Sequence, residues 1–214
     1  DFLQGYLYTV AGFKVYASWL AVAIGMSILM TYINIRGIKA AAKLQTILTV
    51  IIGAAGILLV IVSAITGSVS TLEPQAFIPG DTTTTFKAVL AVAVTTPFYF
   101  IGFDVIPQAA EEINVPLKKI GKILILSVVC AVLFYALVII AVGLVLTDSE
   151  IIAAESGTGL VTADAMAKAL SSATMAKVII IGGMCGIVTS WNSFLMGGSR
   201  ALYSMAESYM VPRF

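Results

Sequence analysis

The sequence has no histidine and only two cysteines, and charged residues make up 11% of its 214 positions. Without an imidazole, neither a conventional zinc site nor a Ser-His hydrolase triad can be assembled. Cys130 and Cys185 both lie inside apolar runs, where thiols act as inert packing groups, so neither is read as a disulfide, metal ligand or redox sensor. The basic residues form no polybasic run and no aromatic-interleaved face, which removes the footprint of nucleic-acid binding. The net charge of +1 says little about partners, because in a lipid-embedded chain the placement of charge matters more than its sum.

Apolar surface is what the sequence has in excess. Hydrophobic residues make up 60% of it and mean hydropathy is +1.05, whereas a soluble domain carries about 25% charged residues. One soluble core cannot hide this much apolar surface, so the solvent is lipid. The expected class is an all-α polytopic membrane protein forming a single transmembrane domain over residues 1–214. The chain opens on Asp1 with no positively charged leader and stops at Phe214 soon after a helix. It is therefore expected to be a piece whose partners include the bilayer and the remainder of its own chain.

Crossing about 30 Å of hydrocarbon takes roughly 20 apolar residues. The sequence offers five such spans, at about 15–33, 44–66, 86–110, 120–146 and 175–198. The tight connection between the first two predicts antiparallel neighbours. Arg36, Lys39 and Lys43, then Lys118, Lys119 and Lys122, then Arg200 and Arg213 all fall on one side of an alternating topology. That side is expected to be cytoplasmic. Lys14, Lys87, Lys168 and Lys177 fall on the other, diluted by seven carboxylates. Of the outer loops, Thr66 to Thr85 has glycine, two prolines and four consecutive threonines, and is expected to be irregular. Ser149 to Thr174 is expected to hold a surface helix near Ala163 to Leu170 with Thr162 as N-cap.

The third span carries the chemistry. It reads Thr95-Thr96-Pro97-Phe98-Tyr99-Phe100-Ile101-Gly102-Phe103-Asp104-Val105-Ile106-Pro107. Each proline removes a backbone donor and clashes with the preceding turn, and Gly102 weakens the helix further. In lipid, irregular backbone and a carboxylate survive only where protein, water or ligand satisfies them. A helix broken near Phe100 to Asp104 and facing the protein interior is expected. Carbonyls ending its first half would accept from an ammonium group, and amides opening its second half would favour a carboxylate. The alternative is a helix that is merely kinked.

These residues resemble the amino acid–polyamine–organocation superfamily, the amino acid permeases. The resemblance rests on Phe98 through Asp104, followed by Gln108-Ala109-Ala110-Glu111-Glu112-Ile113-Asn114-Val115-Pro116-Leu117-Lys118-Lys119. Two further matches are Asn34-Ile35-Arg36-Gly37-Ile38-Lys39 with Gln45, and Gly198 through Ala206 followed by Val211-Pro212. The resemblance implies the LeuT-type inverted-repeat fold, with the five spans as its fourth to eighth helices and the third of them discontinuous. It also implies an integral protein of the plasma (or bacterial inner) membrane.

The resemblance further implies a secondary transporter of amino acids working by alternating access, not an enzyme. Phe98 would pack over substrate, and the carbonyls of Phe98, Tyr99, Phe100 and Ile101 would face its ammonium. Gly102 would permit the break, and Asp104 would gate, relay a proton or meet a basic substrate. For Tyr99 and Phe103 packing alone is the other reading. Glu111, Glu112 and Arg200 would form an inner gate, or else be solvated helix ends. Some proton-coupled relatives carry a lysine where this sequence has Ile52, so the coupling ion stays open between H+ and Na+, with no other cofactor. Thr189, Ser190 and Ser193 are the candidate ion site, Thr189 and Ser193 sharing one helix face. Their other reading is interhelical hydrogen bonding or back-bonding to the preceding turn. Trp191 and Asn192 are open between packing and substrate contact, and Gly182, Gly183, Gly186, Gly197 and Gly198 are expected to admit close helix approach. A polyamine carrier of the same fold, a channel and a non-transporting scaffold are the rival readings.

Overall fold

The computed structural model describes residues 5–72, 82–100, 102–103, 105–108 and 115–211. The chain divides into two compact units, Asp1–Thr46 and Ile47–Phe214.

In the first unit, two short strands, β1 (Tyr6–Val10) and β2 (Phe13–Tyr16), pair antiparallel through a turn at Ala11-Gly12. Both turn residues have positive φ, 49° and 86°, the backbone hand that matches the twist of a two-residue hairpin. This hairpin departs from the all-α expectation. Helix α1 (Ala17–Ile35) follows β2 without a linker, and the Ala17 amide donates to the Gly5 carbonyl at 2.6 Å. Its C-terminal end is closed by Gly37 at φ 112°, whose amide donates to the Asn34 carbonyl. Arg36 donates to the Tyr32 hydroxyl and lies 5.0 Å from the centre of its ring.

Helix α2 (Ile38–Thr66) crosses into the second unit. A one-turn 3-10 helix at Val69–Thr71 follows, then α3 (Thr82–Tyr99), α4 (Val105–Gln108) and α5 (Leu117–Val145). The unit continues through α6 (Asp148–Gly157) and α7 (Val161–Ala169) to α8 (Ala173–Glu207). Among the described residues, α1, α2, α5 and α8 are long and apolar enough to cross a membrane. The third predicted span does not hold as one helix, because α3 stops at Tyr99 and its apolar part, Thr85–Tyr99, is too short to cross. The most apolar stretch of α5 has no buried residue, an arrangement stable only where the surroundings are hydrocarbon. The chain is thus a helical, polytopic membrane protein.

The second unit's core lies where α2 and α5 end together. The Ser68 amide, just past α2, donates to the Leu144 carbonyl at 2.9 Å, so the two helices finish on one side, as an alternating topology requires for its second and fourth spans. Leu59, Ala141, Val142, Val145 and Leu146 are buried there against Ala165 and Met166 of α7. Burying a side chain like Met166 contributes about 1.5–3 kcal/mol. The predicted surface helix is this α7, but its N-cap is Leu160 rather than Thr162. The preceding loop is braced differently: Thr158 Oγ1 donates to Asp164 Oδ2 at 2.6 Å and accepts from the Leu160 amide at 3.1 Å.

Glycine governs how closely the helices approach. A Cβ at Gly56 of α2 would collide with the Phe134 ring of α5. Cβ atoms at Gly182 and Gly186 of α8 would meet Ala55 at 2.8 Å and Ile52 at 2.7 Å. The expectation of close approach holds for those two, while Cβ atoms at Gly183 and Gly198 would meet nothing within 4 Å.

Candidate functional site

The break in the third span has a local cause. Pro97 has no amide, so the carbonyl one turn earlier loses its helical donor. Two threonines engage carbonyls in that same turn: Thr95 Oγ1 donates to the carbonyls of Ala91 (3.2 Å) and Val92 (3.0 Å), and Thr96 Oγ1 to that of Val92 at 2.6 Å. Such back-bonding bends helices. Past the proline the ladder tightens from four residues to three, with the Phe100 amide donating to the Pro97 carbonyl at 3.1 Å. Gly102 then takes φ 118°, a conformation natural only to glycine. The chain restarts with the Val105 amide donating to the Gly102 carbonyl at 3.2 Å and Ile106 to Phe103 at 3.3 Å. Pro107 fits because it stands in the first turn of α4, where amides have no helical acceptor.

At this interruption the regular four-residue ladder gives way to three-residue turns, with the Val105 and Ile106 amides turned back to Gly102 and Phe103 and the Pro97 carbonyl accepting from Phe100.

Beside the break lies a cleft of about 270 Å³. Tyr99, Phe100, Gly102, Phe103 and Ile106 line one wall, and Ser127, Val128, Ala131 and Tyr135 of α5 the other. The Phe100 ring meets the Tyr135 ring edge-on, with centroids 5.3 Å apart. Ser127 donates to the Leu124 carbonyl of its own helix at 2.8 Å. Among the described residues the lining holds no charged group.

The predicted site residues are distributed unevenly around this cleft. Tyr99, Phe100 and Gly102 line it, and so does Phe103, for which packing alone was the other reading. Phe98 is not in the described lining; it is 74% exposed, with its ring 6.2 Å from that of Tyr99. Ile101, Asp104, Glu111 and Glu112 lie outside the described residues. Tyr135 and Ser127 were missed by the sequence reading, since an aromatic and a serine within an apolar span carry no motif.

On α8 the candidate ion ligands stand on two faces. Thr189 donates to the Gly186 carbonyl at 2.7 Å, the back-bonding alternative, while Ser190 is exposed and Ser193 half-buried. Asn192 is completely buried and Trp191 half-buried. Ile52 packs against α8 at Gly186, one turn before Thr189. Its aliphatic side chain brings no charge there. Arg200 is half-buried towards the C-terminal end of α8.

Comparison with known proteins gives a consistent picture. The amino acid permease family matches over residues 2–214. The chain is 28% identical over 184 residues to the branched-chain amino acid permease BcaP of Bacillus subtilis, covering 86% of this chain and 37% of that protein. It is 31% identical over 187 residues to the methylthioribose transporter of the same organism, covering 86% and 38%. With cationic amino acid transporter 7, chloroplastic, of Arabidopsis thaliana, identity is 23% over 198 residues, covering 89% and 32%. The chain therefore spans less than half the length of these curated relatives. No solved structure matches it.

Proposed function

The chain belongs to the amino acid permease family, and from that premise we propose that it forms the substrate-gripping part of a secondary transporter that moves amino acids by alternating access. The observation that carries this reading is the break between Tyr99 and Val105 beside an aromatic-walled cleft whose described lining carries no charge. Main-chain groups at a break can hold the ammonium and carboxylate common to all amino acids. The cleft leaves room for an apolar side chain. Similarity to a branched-chain amino acid permease supports the same substrate class.

In this reading the spans are the fourth to eighth helices of a LeuT-type fold in the plasma (or bacterial inner) membrane, with Asp104 next to the substrate. Glu111, Glu112 and Arg200 form a cytoplasmic gate that parts as the site opens inward. Thr189, Ser190 and Ser193 mark the coupling-ion region, the ion being H+ or Na+. Substrate binding need favour one state over the other only by its differential affinity. Similarity to a methylthioribose transporter favours a second reading, a neutral thio-sugar as solute, which would rest on the aromatic walls rather than on main-chain charge complementarity.

The experiment is counterflow of radiolabelled amino acids by the full-length protein in proteoliposomes. Saturable exchange of apolar amino acids, competed by leucine and not by methylthioribose, is expected. Competition by methylthioribose alone selects the second reading. Unsaturable conductance points to a channel, and silence to a scaffold.

A further inference from the structure

The cleft beside the break is walled by side chains of very unequal size. Tyr99, Phe100, Phe103 and Ile106 on one side and Tyr135 on the other are bulky, whereas Ala131 of α5 ends at its Cβ. Ser127, Ala131 and Tyr135 follow one another at four-residue steps on α5. They therefore stand in one line on the helix, with Ala131 in the middle and each neighbour about 6 Å away along the axis.

That line is turned towards the rest of the fold. Leu124, Ser127, Val128 and Ala131 are half-buried at helical spacing, while Ile125, Val129 and Val132 beside them are exposed. A small residue in a seam between membrane helices is explained by a neighbour pressing on it, as Ala55 does at Gly182. Ala131 instead borders the cleft, with the break across from it, so its smallness leaves room inside the cleft. Both walls belong to one compact unit. The four aromatic rings around this room suit an apolar group, and the described lining offers no charge to pair with an ionised one. Resting on the transporter reading above, we propose that Ala131 is the specificity-determining residue of this cleft: it leaves the room that a large apolar side chain of the amino acid fills, and so sets the upper size of the solute.

The test is counterflow by the full-length protein in proteoliposomes, with leucine and phenylalanine as large solutes and valine and alanine as small ones. Ala131→Leu puts a branched side chain in the middle of the room. One methylene of misfit in an apolar pocket already changes discrimination by about tenfold or more. The apparent KM for leucine and phenylalanine is therefore expected to rise about tenfold or more relative to that for valine and alanine. A loss of packing or of protein alone would move all four solutes together and leave the ratio as it was. Ala131→Val is expected to give the same order with a smaller ratio, and stands in should Ala131→Leu fail to fold. An unchanged ratio, or one that moves against the small solutes, overturns the proposal and leaves the transporter reading intact. A wild-type protein that exchanges none of the four overturns both.

Discussion

The Phe100 ring stands edge-on to Tyr135, with centroids 5.3 Å apart and planes 72° from parallel. Phe100 lies in the break and Tyr135 in the long, apolar α5, so this pair ties irregular backbone to a rigid helix. Edge-on aromatic pairs contribute about 0.5–1.5 kcal/mol beyond their buried area. Tyr135→Ala is therefore expected to raise the apparent KM for uptake by about 2- to 12-fold. Tyr135→Phe keeps the ring and is expected to transport nearly as well. Initial-rate uptake in proteoliposomes measures both.

Gly102 is the second handle on the break. A Cβ there would meet nothing within 4 Å, so Gly102→Ala has no steric obstacle and acts only through φ 118°. Strain of this kind costs about 1–3 kcal/mol. The variant is expected to insert and purify normally, to unfold at a lower temperature, and to lose most of its uptake. Normal uptake with normal stability would mean that the turn tolerates any residue.

Pro97→Ala is expected to act in the opposite sense on stability. It restores an amide and relieves a helix-interior proline that costs about 3 kcal/mol or more in an ordinary helix. If the break exists for binding, the variant gains thermal stability and loses transport. Gain or retention of transport would separate Pro97 from function.

A pH dependence follows from the outer helices. Glu150 opens α6 in a capping box with Thr147 and meets Lys168 of α7 at 2.7 Å. The Lys168 hydrogen bond first, then the Thr147 amide and hydroxyl, lower its pKa to about 2. A carboxylate depressed in the folded state contributes stability that is complete above its unfolded pKa of about 4.3. That contribution fades as pH falls from there through about 2. Both side chains are over two-fifths exposed, so the effect is modest and weakened by salt. Glu150→Gln is expected to flatten thermal stability against pH in that window, as followed by tryptophan fluorescence.

Much of the fold was legible because lipid imposes a length rule that sequence obeys. The predicted spans at 15–33, 44–66, 120–146 and 175–198 correspond to α1, α2, α5 and α8, with ends displaced by a few residues except that α8 continues to Glu207. The break was legible too, because Pro97 and Gly102 each act on their own backbone. What escaped depends on contacts between distant residues. Nothing local to Tyr135 says that it faces Phe100, and nothing local to Phe98 turns its ring away from the cleft. The hairpin was missed although Ala11-Gly12 is a turn signal, because hydropathy dominated the reading. The Thr147-x-x-Glu150 capping box was likewise visible and unread. Thr189 shows the limit of spacing: sharing a face with Ser193 says nothing of whether its hydroxyl turns outward or back to Gly186.

The most direct measurement is hydrogen–deuterium exchange of the full-length protein, read on the peptide covering Phe98 to Ile106, with and without the amino acid that counterflow selects. If main-chain groups at the break hold the solute, amides in this segment slow markedly on its addition, while those of the outer helices α6 and α7 do not. Unchanged exchange through Phe98 to Ile106 at a saturating, transported concentration would place the binding groups elsewhere.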